Sequence, residues 1–312
     1  MVDKCRVALH GCENYSREGL KQVIYRVGRA AGLHVDAGSA VLLKPNLVAA
    51  GGGPRCPACT NVDFVVAVAE WCLDMGARVK VGDSPAFGSG QKVMEACGLS
   101  AKLKPLGVKP ANFGRARSVK LPCGMKAPIS IEALECDVLV NLPKVKAHNQ
   151  LYVSLAVKNY FGVVAGWRKA LHHAANGDVA NKFEELLVDL PGLFGDTFTL
   201  LDGIIAMHRS GPMKGEEYPL KLVAGAVDPV ALDTAVMGII GADYEKSRIW
   251  QECRRRGLAG TDPDRLEFPL RGPGDFPATG FILPERLNPV TFHPGRMMVG
   301  ACKRVVSGIL KQ

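Results

Sequence analysis

The central stretch of the chain reads Val138-Leu139-Val140-Asn141-Leu142-Pro143-Lys144-Val145-Lys146-Ala147-His148. Its first three residues are apolar and β-prone, which is typical of a strand that is buried on both faces. Three basic side chains follow within a few residues. In open parallel sheets, ligands bind beyond the carboxyl ends of the strands. The stretch therefore predicts an α/β fold with functional groups at its strand ends.

Outward from this stretch, short apolar runs alternate with apolar residues at helical spacing. Strands are predicted at residues 6–9, 41–43, 79–81, 198–201 and 220–224. Helical stretches are predicted between them, one of them around residues 151–160. Asp228-Pro229 predicts a helix start, because Asp caps helices and Pro is favoured at the first helical position. The alternation predicts an α/β fold with a mainly parallel sheet flanked by helices on both faces, in Rossmann-like layers.

Proline and glycine interrupt this alternation in two places. The first predicts an excursion with short strands at about residues 103–130. The second predicts an irregular, Pro/Gly-rich extension over residues 261–312, packed on the body. The remaining residues, 1–260, are predicted to form the α/β domain.

The net charge of the chain is positive. Its 312 residues include 39 Lys and Arg against 30 Asp and Glu, a formal charge of +9. A basic surface favours anionic partners. Aromatic residues make up only 6% of the chain and no nucleic-acid reader motif is recognisable, so a small anion is favoured over nucleic acid.

The sequence also bears on location. No apolar run approaches the roughly 20 residues that a membrane helix requires. The first residues lack the regions of a signal peptide. We therefore expect a cytoplasmic protein without a membrane partner, whose ten cysteines are thiols or metal ligands rather than disulfides. The oligomeric state is left open.

Polar residues follow the predicted strands and should meet along one edge of the sheet. Four lysines lie close to apolar runs, where a cation needs a partner: Lys44, Lys144, Lys146 and Lys158. We expect them to bind a carboxylate, phosphate or sulfonate. The predicted catalytic residues are Lys144, Lys146, His148 and Asp83. The predicted substrate-binding residues are Lys44, Asn46, Ser84, Asn141, Lys158, Asn159, Lys169, His172 and Asp202.

Other interpretations of these residues stay open. Asp83 and Asp202 could act as a base or bind a divalent metal, or they could only make turns and cap helices. The lysines and His148 could form a solvated surface. Within the enzyme interpretation, the lysines hold the anion and His148 moves a proton.

A second set of candidates is built on cysteine. Cys56-Pro57-Ala58-Cys59 is a C-x-x-C pair, which offers two of the four ligands of a structural zinc or an iron–sulfur cluster. Cys12 follows the first strand and could complete the site. The alternative function is therefore a metal- or iron–sulfur-binding redox or accessory protein that uses Cys12, Cys56 and Cys59. A redox dithiol and unliganded loop thiols are the other interpretations.

Several motifs recur in an order typical of one family: Leu43-Lys44-Pro45-Asn46-Leu47-Val48, Gly82-Asp83-Ser84-Pro85, the stretch from Asn141 to His148, Val157-Lys158-Asn159-Tyr160-Phe161-Gly162, and Asp228-Pro229-Val230-Ala231-Leu232-Asp233. On these motifs, from about residue 40 to 260, the chain resembles the family catalogued as domain of unknown function 362. The resemblance implies a shared α/β fold and a shared site.

Two limits accompany the resemblance. Many members of the family append a ferredoxin-like region with four-cysteine cluster motifs, and this sequence contains no such run. The resemblance therefore does not imply a cluster of that kind. The layout is also similar, at the level of fold only, to the N-terminal half of nickel-pincer lactate racemases.

Overall fold

The computed structural model describes residues 4–48, 56–85, 88–165 and 181–288. The chain alternates strands and helices, as the sequence predicts. The strands are β1 (Cys5–Gly11), β2 (Ala40–Pro45), β3 (Arg78–Val81), β4 (Lys109–Pro110), β5 (Ala116–Lys120), β6 (Lys126–Ser130), β7 (Val138–Leu142), β8 (Lys144–His148), β9 (Tyr152–Ser154), β10 (Asp196–His208), β11 (Glu216–Tyr218), β12 (Leu222–Ala226) and β13 (Leu266–Glu267).

The helices occupy the connections between these strands. They are α1 (Arg17–Ala30), α2 (Val62–Asp74), α3 (Gly90–Ala96), α4 (Leu99–Leu103), α5 (Ile131–Leu134), α6 (Ala156–Asn159), α7 (Lys182–Asp189), α8 (Pro229–Ile239) and α9 (Arg248–Arg255). The predicted start of α8 is confirmed: Asp228 accepts hydrogen bonds from the N–H groups of Val230 (2.7 Å) and Ala231 (3.2 Å), and Pro229 is the first helical residue.

The central sheet has the order β13-β1-β12-β10-β7-β2-β3-β4. Neighbouring strands are parallel except at β12, which runs antiparallel to both β1 and β10. The predicted fold class, a mainly parallel sheet with helices, is therefore confirmed. In the excursion at 103–130, β5 and β6 pair as a separate two-stranded sheet.

Side chains of the central strands alternate between two cores. Val41 and Val140 share a core with Phe64 of α2, whereas Leu42 and Leu139 share another with Phe183 of α7. Successive residues of a strand point to opposite faces, so an apolar run such as Val138–Leu142 contributes to both cores. Helices consequently cover both faces of the sheet.

Three local predictions are wrong. Residues 144–148, which the sequence predicts to follow the end of a strand, form strand β8 themselves. Strand β10 continues to His208, so Asp202 lies inside a strand rather than after it. The length of β10 accounts for the strand at 144–148 and for the position of Asp202. Strand β10 pairs with β7 through residues 196–199 and then with β8 at Asp202 and Met207, with a register shift between these two residues. The predicted helical stretch at 151–160 also begins with strand β9.

The chain after α9 adds a strand to the sheet edge. Short β13 pairs in parallel with β1, and Phe276 is buried in the core that α8 shares. Residues 289–312 lie outside the described part of the chain. The division into a domain at 1–260 and an extension at 261–312 stays a prediction.

Candidate functional site

Lys44 and Asp83 form a buried ion pair at the carboxyl ends of two neighbouring parallel strands, β2 and β3. Lys44 Nζ lies 2.9 Å from Asp83 Oδ1, and the two side chains are 0% and 3% exposed. Asp83 Oδ2 accepts a hydrogen bond from the Leu47 N–H at 2.8 Å, and Lys44 Nζ donates to the Pro45 carbonyl at 2.7 Å. Burial lowers the pKa of Lys44, and the charge of Asp83 opposes that shift.

Gly162 closes over this ion pair. A Cβ added to Gly162 would lie well within 3.0 Å of Asp83 Oδ1 and of Lys44 Cε and Nζ, closer than real Cβ atoms approach other atoms. The Gly162 carbonyl accepts the N–H of Ser84 at 3.1 Å. The absence of a side chain at Gly162 is therefore what allows this turn to pack on the charged pair.

A second buried ion pair joins β8 to β10. Lys144 and Asp202 are direct partners in the parallel register, and Lys144 Nζ lies 2.9 Å from Asp202 Oδ2. Tyr15, which follows β1, donates its hydroxyl to Asp202 Oδ1 at 2.8 Å and lies 3.0 Å from Lys144 Nζ. The Asn61 N–H adds a hydrogen bond to Asp202 Oδ2 at 2.9 Å. Burial and the Asp202 charge raise the pKa of Tyr15, so its phenol stays protonated as a donor.

These contacts involve both oxygens of Asp83 and of Asp202. In this structure the charge of each carboxylate is balanced by a lysine of the protein itself. The arrangement gives both residues a charge-compensating role in the fold, which the sequence offers no means to anticipate.

Three predicted substrate-binding asparagines form one chain of amides. Asn46 Nδ2 donates to Asn159 Oδ1 at 2.9 Å, and Asn159 Nδ2 donates to Asn141 Oδ1 at 2.8 Å. Asn141 Nδ2 in turn donates to the Ala156 carbonyl at 3.0 Å. The amides connect β2, β7 and α6, so they fix the relative positions of the strand ends that carry the lysines.

Lys146 occupies a different setting from the other two buried lysines. It is 2% exposed, and Nζ donates to Asn46 Oδ1 at 2.6 Å and to the Ala58 carbonyl at 2.9 Å. Both acceptors are neutral, and in the described part of the chain Lys146 has no ion pair of the kind found at Lys44 and Lys144. Burial is the main cause that lowers the pKa of Lys146 to about 8, against the opposing effect of Cys59, Cys56 and Asp83.

His148 lies on the same face of β8 as Lys144 and Lys146, because alternate strand residues share a face. Its Nδ1 lies 3.2 Å from the backbone nitrogens of both Gln150 and Leu151 and accepts from them. We therefore assign the ring hydrogen to Nε2, so that His148 is an N–H donor through Nε2. The same contacts hold Nδ1 away from any metal.

The Cys56–Cys59 pair lies beside Lys146. The hydrogen bond from the Cys59 thiol is the main cause that lowers the pKa of Cys56 to about 6; burial opposes it, and the backbone of Ala58 and Cys59 and the charge of Lys146 add to it. The same hydrogen bond and burial raise the pKa of Cys59. Cys12 is buried and donates to the Asn14 carbonyl at 3.2 Å. Across residues 4–48, 56–85, 88–165 and 181–288, no three His, Cys, Asp or Glu side chains form a group that could hold a metal ion.

Other predicted residues lie elsewhere. Lys158 lines a small cavity of about 10 Å³ together with Asp233 and Trp250, between α6, α8 and α9. Lys169 and His172 fall outside the described residues. The sequence interpretation missed Tyr15, Thr60 and Gly162. Tyr15 could have been found, because it follows a strand that runs parallel to β2 and β7 and so ends at the same edge of the sheet.

Asp233 is a buried carboxyl that holds α6 in place. Its oxygens accept the N–H groups of Ala156 at 2.7 Å and of Val157 at 3.1 Å. Burial raises its pKa to about 8, and the two N–H groups oppose that shift. Since α6 carries Asn159, Asp233 positions one member of the amide chain.

Replacing Asp233 by alanine should leave two buried N–H groups without an acceptor. We expect a loss of roughly 2–3 kcal/mol in the free energy of unfolding, measured by urea denaturation. The matched control is Asp262→Ala, which removes an exposed acceptor of the Asp264 N–H and should cost well under half as much. Equal losses in the two variants would contradict the assigned role of Asp233.

The sequence of this chain matches a known protein family. The sequence profile described as "Domain of unknown function (DUF362)" matches residues 41–238, a segment that contains Lys44, Asp83, Lys144, Lys146, Gly162 and Asp202. The chain belongs to the DUF362 family. A thylakoid-associated protein of Synechocystis sp. is 35% identical over 282 residues, which cover 90% of this chain and 87% of that protein.

Two solved structures are also similar to this DUF362 protein. One is the lactate racemase apoprotein from Thermoanaerobacterium thermosaccharolyticum, with a TM-score of 0.46 and 13% identity over 75% of this chain and 56% of that one. The other is a Thermotoga maritima protein, with a TM-score of 0.38 and 10% identity over 69% of this chain and 56% of that one. The DUF362 chain thus spans a little over half the length of each structure.

The location predicted from the sequence is tested only in part. Within the described residues, every helix is too short or too polar to cross a membrane. The Synechocystis relative is named for its association with thylakoids, and a cytoplasmic location for this chain stays a prediction.

Proposed function

We propose that this DUF362 protein is an enzyme that acts on a small molecule bearing a carboxylate, phosphate or sulfonate group, which binds beside Lys146. The observation that carries the proposal is the buried Lys146 ammonium, whose partners among the described residues are the neutral oxygens of Asn46 and Ala58. A buried charge is costly unless an opposite charge or several hydrogen bonds accompany it. An anionic substrate supplies that charge.

The other two buried lysines support this choice by contrast. Lys44 and Lys144 already have carboxylate partners at 2.9 Å, so a second anion there would face the repulsion of Asp83 or Asp202. Lys146 has used two of its three N–H donors on neutral oxygens. In the proposed site Lys146 binds the anion, the Asn46–Asn159–Asn141 amides hold the strand ends in place, and His148 serves as an N–H donor or proton carrier along the same strand face.

Anions should stabilise the wild-type protein through Lys146. Acetate, inorganic phosphate and methanesulfonate each represent one of the three anion classes. An anion at a hundred times its dissociation constant adds about 2.7 kcal/mol, which corresponds to a rise in Tm of about 4 °C for a chain of this size. Thermal unfolding followed by circular dichroism measures the shift, with chloride exchanged for the added anion so that the ionic strength stays fixed.

Lys146→Met should abolish this shift and fold normally, because methionine fills a similar apolar volume without a buried charge. Lys80→Met is the matched control: it removes one positive charge from an exposed ion pair with Glu132. Because the pKa of Lys146 is lowered to about 8, the ammonium is charged below that pH and neutral above it, so the stabilisation should fade as the pH rises through about 8. Equal Tm shifts in the two variants would refute binding at Lys146.

A further inference from the structure

The C-x-x-C pair, Cys56 and Cys59, lies in a turn at the edge of the sheet that carries the lysines. The Cys59 N–H donates to the Cys56 carbonyl at 3.1 Å, which closes a tight turn, and the pKa of each thiol responds to the other. Cys56 is half-buried and Cys59 is 8% exposed. Cys56 is thus the more accessible of the two residues.

Contacts on both sides hold this turn in place. The Ala58 carbonyl, between the two cysteines, accepts a hydrogen bond from Lys146 Nζ at 2.9 Å. Thr60, next to Cys59, accepts the Asn46 N–H at 2.8 Å and donates its hydroxyl to the Leu142 carbonyl at 2.7 Å. Cys59 also packs with Val48 and Met207. The turn is therefore tied to β2, β7, β8 and β10 and keeps the two thiols together.

We propose that Cys56 and Cys59 are a redox-active dithiol that reduces an accessible disulfide bond, with Cys56 as the attacking thiol and Cys59 as the resolving thiol. The inference shares Lys146 with the proposed anion site, but it does not require an anion to bind there. The lowered pKa of Cys56 and the raised pKa of Cys59 fit this division of roles, because the thiolate is the nucleophile.

The reaction balances in two steps. The Cys56 thiolate attacks one sulfur of the substrate disulfide, forms a mixed disulfide and releases the other sulfur as a thiolate, which takes up a proton. Cys59 then loses its proton and attacks Cys56 Sγ, which forms the Cys56–Cys59 disulfide and releases the second substrate thiol. The substrate gains two electrons from the protein and two protons, one from Cys59 and one from the solvent, which had received the proton of Cys56. A dithiol reductant restores the two thiols by the reverse exchange.

The first experiment uses the wild-type chain. Reduced protein is equilibrated under argon in buffers of reduced and oxidised glutathione, quenched with acid, alkylated and digested with trypsin. The peptide from Cys56 to Arg78 also contains Cys72, so fragmentation is needed to place the bond. We expect a Cys56–Cys59 disulfide whose fraction follows the glutathione ratio reversibly. Two thiols that stay reduced across the whole range would overturn the proposal.

Single variants separate the two roles. With 5,5′-dithiobis(2-nitrobenzoate), Cys59→Ser should keep a stable mixed disulfide on Cys56, whereas Cys56→Ser should form none at Cys59. At pH 6, Cys56 in the Cys59→Ser protein should still react roughly as fast as or faster than free glutathione, because a hydroxyl at position 59 can also donate a hydrogen bond to the thiolate and the charge of Lys146 adds to that effect. Cys136→Ser, which removes a half-buried thiol elsewhere, is the control and should behave as wild type. An adduct on Cys59 in Cys56→Ser at the same rate would overturn the assignment.

Turnover distinguishes the two sources of disulfide. The wild-type chain is mixed with dithiothreitol as the dithiol reductant and with either oxidised glutathione or insulin. Acceleration over the Cys56→Ser protein with oxidised glutathione indicates a small disulfide substrate, and acceleration with insulin indicates a protein disulfide. No acceleration with either would overturn the proposed activity. Cystamine, a small disulfide without a carboxylate, is assayed in parallel with oxidised glutathione, so that the outcome does not depend on anion binding at Lys146.

Discussion

Replacing Asp202 by alanine is expected to lower the free energy of unfolding by about 3–5 kcal/mol. The change leaves the Lys144 ammonium buried without its carboxylate, since these side chains are 2% and 0% exposed and 2.9 Å apart. It also removes the acceptor of the Tyr15 hydroxyl and of the Asn61 N–H. Urea denaturation at pH 7 measures the loss, and an unchanged m-value would show that the unfolding transition is otherwise the same.

Two further variants separate charge from hydrogen bonding. Lys144→Met/Asp202→Ala removes both charges and should recover a large part of the stability, because an apolar pair of similar volume avoids the cost of the unpaired ammonium. Asp202→Asn keeps an acceptor but loses the charge, and it should fall between wild type and alanine. Strict additivity of the two single substitutions in the double variant would mean that Lys144 and Asp202 do not stabilise each other.

The position of the other buried ion pair, Lys44–Asp83, was partly predictable from the sequence. The rule that ligand-binding groups follow parallel strands correctly brought Lys44 and Asp83 to one edge, because β2 and β3 are adjacent and parallel. It also placed Asn46 and Asn141 there. The rule depends only on where apolar runs end, and those ends are visible in the sequence.

What the sequence could not supply is the pairing. Nothing in the order of residues says that Lys144 pairs with Asp202, since that depends on the register of β8 against β10 and on the register shift within β10. From the sequence alone, every lysine of the basic run after Val140 was therefore an equal candidate for binding an anion. In the structure a carboxylate neutralises Lys144 of this run and another neutralises Lys44 of β2, and Lys146 is distinguished from them only by what surrounds it.

The role of Gly162 shows the same limit at a single residue. A glycine at the end of a motif is usually interpreted as a turn that needs an unusual backbone angle. Gly162 is not among the glycines with a positive φ, and its importance comes from contact with Lys44 and Asp83, which are distant in the chain. Only the assembled fold shows that this position has no room for a Cβ.

Gly162→Ala is consequently expected to cost about 3–5 kcal/mol in the free energy of unfolding. The added methyl group would occupy the space of Asp83 Oδ1 and the end of Lys44, so either the buried pair separates or the turn moves away from Ser84. The matched control is Gly192→Ala, whose added Cβ meets no atom within 4 Å and which should change stability by less than about 0.5 kcal/mol. Urea denaturation of both variants provides the comparison.

A double-mutant cycle identifies the cause of that loss. In a Lys44→Ala/Asp83→Ala background the clashing atoms of both side chains are gone, so Gly162→Ala should cost much less than in the wild type. If its cost were the same in both backgrounds, the strain would lie in the backbone of the turn and not in contact with the ion pair. A reduced cost would instead tie Gly162, Lys44 and Asp83, which come from three separate motifs of the chain, to one packed unit at the edge of the sheet.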